Sequence, residues 1–167
     1  MDDRFSAVAA LAAVAAALLL AACDPQRISE LEEGVATEAD VRARFGQPEQ
    51  IWDGPGGARI LEYDRQPAGQ KNYMITIGPD GRMSALRQVL HPGNFALVQP
   101  GMALEDVRKL LGRPAKITPY PLKDETAWDW RYLEPPNTPM VFSVWFNPDM
   151  RVLRSASAPD PQAPENR

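Results

Sequence analysis

Val107-Arg108-Lys109-Leu110-Leu111-Gly112-Arg113-Pro114 has a counterpart 66 residues upstream in Val41-Arg42-Ala43-Arg44-Phe45-Gly46-Gln47-Pro48. Valine-arginine, an apolar residue before glycine, and proline two places on recur at one spacing. The upstream copy reads as a helix. Thr37 is a candidate N-cap with Asp40 three residues on, close to a capping box. Val41 and Phe45 are four apart and share a face. Gly46 supplies the stop, and Pro48 prevents the helix from resuming. Gly101-Met102 precedes the second helix much as Gly34 precedes the first, with one extra residue between in the first half.

The agreement continues beyond the helices at an offset of 69: Leu61-Glu62-Tyr63 meets Trp130-Arg131-Tyr132, and Pro79-Asp80-Gly81-Arg82 meets Pro148-Asp149-Met150-Arg151. The change of offset places a three-residue insertion after the second helix. Two anchors sharing one offset argue for an internal repeat. Short strand runs follow each helix, at 60–64, 73–77 and 83–89, then at 127–133, 140–146 and 151–156. The expected fold class is therefore α+β. It consists of two tandem units, each of short helix or helices followed by a three-stranded antiparallel meander, an ααβββ-like plan. The units span 28–90 and 95–156, joined at 91–94, with Ile28–Glu33 and Phe95–Val98 as candidates for a first short helix or turn of each. Residues 157–167 contain three prolines and no periodicity, and read as a disordered tail.

The apolar run Ala7–Ala22 ends in Leu20-Ala21-Ala22-Cys23 and holds the only cysteine. It is shorter than the ~20 residues a membrane span needs, and a hydrophobic run closing on small residues is the pattern of a secretory signal. Its first residues, Met1-Asp2-Asp3-Arg4, lack the usual net positive charge. The segment resembles the lipobox of bacterial lipoproteins. That resemblance implies cleavage of residues 1–22 and acylation of Cys23, with 23–27 as a short lipidated tether. Two or more acyl chains anchor stably where one does not. Ile28 lies five residues on, within about 18 Å of the lipid even when fully extended.

The two helix-glycine-proline units, Gly101-Met102, Trp130 to Tyr132 and Phe146 to Val152 resemble the SmpA/OmlA (BamE-like) family of bacterial lipoproteins. The second half carries most of the match and the first is a degenerate copy. The resemblance implies a place in the cell envelope facing the periplasm, in the outer membrane, with the β-barrel assembly machinery as partner. Asp24 resembles the inner-membrane retention signal of enteric lipoproteins, so both membranes stay open as addresses. The family has one unit where this chain has two, and the paired architecture is similar to that of the β-lactamase inhibitor protein.

Hydrophobic content of 44% and charged content of 24% are those of a globular chain. The formal charge of -4 offers no basic face for nucleic acid and no polybasic patch for acidic lipid. Catalysis lacks its parts. The single histidine, His91, sits in a Pro/Gly junction, the cysteine is assigned to lipid, and no glycine-rich phosphate loop follows a strand. No catalytic residue, metal ligand or cofactor is expected.

Contact residues are easier to find. On 127–133, Trp128, Trp130 and Tyr132 alternate onto one face, with Asp129 and Arg131 on the other. Phe142, Val144 and Phe146 match Tyr73, Ile75 and Ile77 and read as core. Trp145 matches Thr76 instead, and shares its face with Ser143, Asp129 and Arg131. Trp145, Arg131 and Asp129 are thus candidate partner-binding residues, since Trp and Arg are enriched at interface centres. Two other readings stand beside this: Trp145 covers the other half-sheet, or it stacks on Arg131 as a cation–π pair. The expected function is that of a lipid-anchored periplasmic interaction module in outer-membrane protein assembly or envelope maintenance. The runner-up is an inhibitor or regulator of a periplasmic enzyme acting through a concave sheet face.

Overall fold

The computed structural model describes Ile28 and residues 30–163. The signal segment 1–22, the tether 23–27 with Cys23 and Asp24, and the last four residues lie outside the described residues. Helix α1 (Glu38–Phe45) leads into an antiparallel meander of β1 (Gln50–Asp53), β2 (Arg59–Asp64), β3 (Asn72–Ile77) and β4 (Met83–Gln88). One turn of helix, α2 (Pro92–Phe95), and then α3 (Leu104–Leu111) precede a second meander. It comprises β5 (Lys116–Tyr120), β6 (Glu125–Glu134), β7 (Thr138–Phe146) and β8 (Val152–Pro159). The fold is α+β, with two separate four-stranded antiparallel sheets and few helices.

The helices form for the reasons their sequences suggest. The Thr37 hydroxyl accepts the Asp40 amide at 3.3 Å, and the Asp40 carboxylate accepts the Thr37 amide at 2.9 Å, completing the capping box. Val41 and Phe45 are buried in α1, and their counterparts Val107 and Leu111 in α3. Gly46 and Gly112 close the helices at φ 84° and 77°, returning their amides to the Arg42 and Arg108 carbonyls. An aromatic donor from the following sheet then takes each glycine carbonyl: the Tyr63 hydroxyl on Gly46 at 3.1 Å, and the Trp130 indole N–H on Gly112 at 3.0 Å.

The stretches before the helices match in their hydrogen bonds too. Gly34 donates to the Met83 carbonyl, and Met83 to the Ala36 carbonyl, both at 2.7 Å. In the second half Gly101 donates to Val152 at 2.8 Å and Val152 to Met102 at 2.9 Å. The extra residue of the first half therefore falls between Gly34 and Ala36.

Alternation along the strands builds two cores. Leu61, Tyr63, Tyr73, Ile75, Ile77 and Met83 gather with Val41 and Phe45. Trp128, Trp130, Tyr132, Phe142, Val144, Phe146 and Val152 gather with Val107 and Leu111. Met74 and Ile60 belong to the second of these clusters although they stand on the first sheet. The back of that sheet is therefore packed against the second unit.

Each meander has four strands where three were expected. Gln50–Asp53 is only four residues long with polar ends, and Lys116–Tyr120 contains Pro119. Both are edge strands, where half the amides need no ladder partner and a proline is tolerated. The short helix or turn expected over Phe95–Val98 begins earlier, as the helical turn Pro92–Phe95 in the junction, where the His91 ring caps the Asn94 amide at 3.4 Å. Of the short helix or turn expected over Ile28–Glu33, the part from 31 onward is a turn, with Val35 and Ala36 both donating to the Glu32 carbonyl. The tail expected over 157–167 is ordered through Ala163, because β8 runs to Pro159 and Asp160 pins the turn that follows.

The inserted residues lengthen the β5–β6 hairpin and slide β5 along its neighbour. β1 begins opposite Glu62, whereas β5 begins opposite Asp129, two residues short of Arg131, which matches Glu62. The Arg131 backbone is served instead by the Gln66 side chain, which donates to its carbonyl at 2.7 Å and accepts its amide at 3.3 Å. One amide from the first unit thus completes the edge of a strand in the second.

The glycine stops should respond unequally to a methyl group. A Cβ at Gly46 meets nothing within 4 Å, so Gly46→Ala costs only the positive φ, about 1–2 kcal/mol. A Cβ at Gly112 would lie 2.7 Å from Asp64 Oδ1 and 2.9 Å from Asn72 Nδ2, so Gly112→Ala costs about 3 kcal/mol or more. Thermal melting of the two variants checks the ordering.

Candidate functional site: the open face of the second sheet

The back of each sheet is built from equivalent positions, yet only one is covered. On the first sheet these are Ile60, Glu62 and Asp64 of β2 and Asn72, Met74 and Thr76 of β3, and α3 ends upon them. Asn72, fully buried, donates from its side chain to the Leu111 and Arg113 carbonyls at 2.9 and 3.0 Å. Asp64 accepts the Arg113 amide at 3.1 Å. The bond to Leu111 satisfies one of the carbonyls that a helix leaves open at its C-terminus. Buried Glu62 accepts the Trp52 indole N–H at 2.9 Å and faces Arg108 at 3.4 Å. Arg108 and Lys109 lie over the Trp52 ring at 5.7 and 5.3 Å.

Two carboxylates two residues apart on one strand face crowd this seam. Burial first, and then the charge of neighbouring Glu62, push the Asp64 carboxyl up to about 7 against the opposing pull of the Arg113 amide. Its second oxygen is buried without a hydrogen-bond partner.

On the second sheet the matching positions are Asp129, Arg131 and Leu133 of β6 and Val141, Ser143 and Trp145 of β7. No helix lies on them among the described residues. All but Leu133 floor a groove of about 470 Å³. Ala127, Ser143 and Ala158 keep the floor low, Tyr120 of β5 rises on one side, and Pro159 to Gln162 close the other. The three residues singled out from the sequence, Trp145, Arg131 and Asp129, all line it.

Their partners differ from those expected. Arg131 does not stack on Trp145. Its Nε donates to Asp160 Oδ2 at 2.7 Å, and its Nη1 to the Pro67 carbonyl at 3.2 Å. Asp160 is buried, and its other oxygen accepts the Gln162 amide at 2.9 Å, so one carboxylate shapes the end wall and holds the arginine. Asp129 accepts the Ser143 hydroxyl at 2.6 Å. Trp145, half-buried, carries Arg154 of β8 over its ring at 4.7 Å. Arg154 in turn forms two 2.8 Å bonds to Glu125, and these hold the Glu125 carboxyl below its ordinary range. Trp145 does not cover the other half-sheet, because it stands in the groove of its own sheet beneath Arg154.

The groove thus offers a half-buried indole and small apolar residues beside two internally satisfied polar clasps. It holds neither histidine nor cysteine. Such a surface selects by shape and hydrogen bonding. The sequence reading missed Asp160, Tyr120 and the Arg154–Glu125 clasp. Asp160-Pro161 is a turn signal, hidden within a proline-rich end.

No protein-family model matches the chain, and no curated protein matches it. Among solved structures it is similar to a DUF4309 family protein (YjgB) from Bacillus subtilis subsp. subtilis strain 168. The identity is 22%, covering 78% of this chain and 82% of that chain, at a TM-score of 0.31. That likeness is too slight to transfer a site.

The covered face yields a pH prediction. Asp64 is raised in the folded state, so between about pH 4 and 7 the folded protein holds a proton that the unfolded chain releases. Its ionisation therefore lowers stability as pH rises through that window. Asp64→Asn should match the parent near pH 4 and exceed it at pH 8 by roughly 2 kcal/mol, after allowing for solvent at the carboxylate's outer edge. Denaturant titrations at both pH values measure the difference.

Proposed function

We propose that this protein is a lipid-anchored, non-catalytic interaction module of the bacterial cell envelope, meeting its partner through the open face of the second sheet. The observation that carries the reading is the inequality of the two faces. α3 ends on one, while its counterpart bears a groove with Trp145, Arg131 and Asp129. A concave surface with an indole and a few convergent polar groups is the form a binding site takes.

The anchor is proposed from Cys23 and the segment before it, with Asp24 weighing on the choice between inner and outer membrane. The kinship is proposed from the sequence: two tandem BamE-like units of the SmpA/OmlA kind, and hence a role in outer-membrane protein assembly or envelope maintenance beside the β-barrel assembly machinery. A tether of five residues keeps the first unit near the bilayer, which favours a partner in or at the membrane.

The test combines anchoring with contact. Cys23→Ser should release the protein from the membrane fraction. In the anchored protein, a photo-reactive residue placed at 145 should crosslink to one envelope protein. Trp145→Ala should lower recovery of that complex at least tenfold, with a melting temperature within a few degrees of the parent. Unchanged recovery, or a collapse in stability that accounts for the loss, contradicts the reading. Capture of one soluble periplasmic enzyme would move it to the inhibitor alternative.

A further inference from the structure

Sheets end in edges, and this protein treats its four edges differently. An edge strand presents unpaired amides and carbonyls, and proteins guard them with charge, proline, brevity or a covering segment. β1 is only four residues long. β5 carries Pro119 within it and Pro121 just beyond. β4 is closed by the first half's own chain. Met83 is bonded to Gly34 and Ala36, and Glu33 accepts the outward Leu86 amide at 2.9 Å while pairing with Arg87.

β8 is the edge left open. Its amide directions follow from the register. Asp160 donates inward to the Pro139 carbonyl, and β7 pairs with β8 without a shift from Met140–Pro159 to Trp145–Arg154. Residues 154, 156 and 158 therefore turn their backbone groups to β7, and Ser155 and Ser157 turn theirs outward. Ser155 is the counterpart of Leu86, whose amide Glu33 caps. Among the described residues nothing takes the outward groups of Ser155 or Ser157, whereas Val152 is already bonded to Gly101 and Met102. The side chains here are small, Ser155-Ala156-Ser157-Ala158, so the backbone is not shielded.

Edge and groove adjoin. Ala158 and Pro159 belong to the groove's lining, and Arg154 lies over Trp145. We infer that the partner of the proposed interaction reaches this protein as an extended strand. It adds to β8 through Ser155 and Ser157, with alternate side chains passing over Ala156 and Ala158 toward Trp145. Unpaired strand amides prescribe another strand as their occupant, and the groove then reads every second side chain. Small apolar or aromatic groups fit those positions. The inference rests on the contact reading of the groove and names the form of the partner.

The probe is a displayed library of random twelve-residue peptides, selected on the purified full-length protein. Selected peptides should slow amide exchange at Ser155 and Ser157 at least tenfold. Ser155→Pro removes an outward donor and no ladder bond, so it should weaken binding at least tenfold without shifting the melting temperature by more than a few degrees. Should that variant fold poorly, Ala156→Lys places a guarding charge on the same edge and should give the same loss. A library that yields no binder overturns the inference, as do binders indifferent to both edge variants. Binders lost on Trp145→Ala but indifferent to the edge variants overturn strand addition alone and leave the groove as the contact surface. A dimer that forms without peptide and dissociates in Ser155→Pro would assign the edge to a second copy and overturn the partner assignment.

Discussion

The structure depends on how α3 ends. A helix leaves its last carbonyls unsatisfied, and burying them without partners is costly. Here Asn72 donates to two carbonyls at that end, Asp64 accepts the amide beyond it, and Trp130 takes the Gly112 carbonyl from the other side. One helix terminus is thereby held between two sheets, by donors from both units. Gly112 is required twice over, for its positive φ and because no side chain fits between it and Asp64.

That junction decides what remains free. The second unit's helix lies on the first sheet, and among the described residues no helix lies on the matching face of the second. Duplication therefore turns an ordinary packing surface into an exposed groove. The same asymmetry reaches the edges, where Glu33 closes β4 and nothing comparable closes β8 among the described residues. Substitutions fit this division. Asn72 and Asp64, which hold the helix end, have Val141 and Leu133 as counterparts, and Thr76 has Trp145. The first set suits a permanent internal contact, and the second suits a surface that meets something else.

Much of the repeat was legible in the chain. The α+β class, the glycine stops, the capping box at Thr37 and the core aromatics all sit where the spacing placed them. The edge strands were not legible, because β1 and β5 lack the alternating apolar run that marks a half-buried strand. The seam was hidden for another reason. Asn72, Asp64 and Glu62 look like surface residues in sequence, and only the packing of one unit on the other buries them. Likewise Trp145 stood out as an indole on a polar face, but its partner Arg154 lies on β8, where the bulge at the strand's start obscures cross-strand register. Asp160 was lost in a proline-rich end that composition alone marks as tail.

In solution α3 seats on the first sheet while the matching face of the second sheet stays open. Methyl and indole proton contacts measured by nuclear Overhauser spectroscopy on the full-length protein test it most directly. The account predicts cross-peaks from the Met74 methyl to Leu110 and Leu111. It also predicts none from the Trp145 indole to any residue of the three helices. Absence of the Met74 contacts, or a helix found over Trp145, would contradict it.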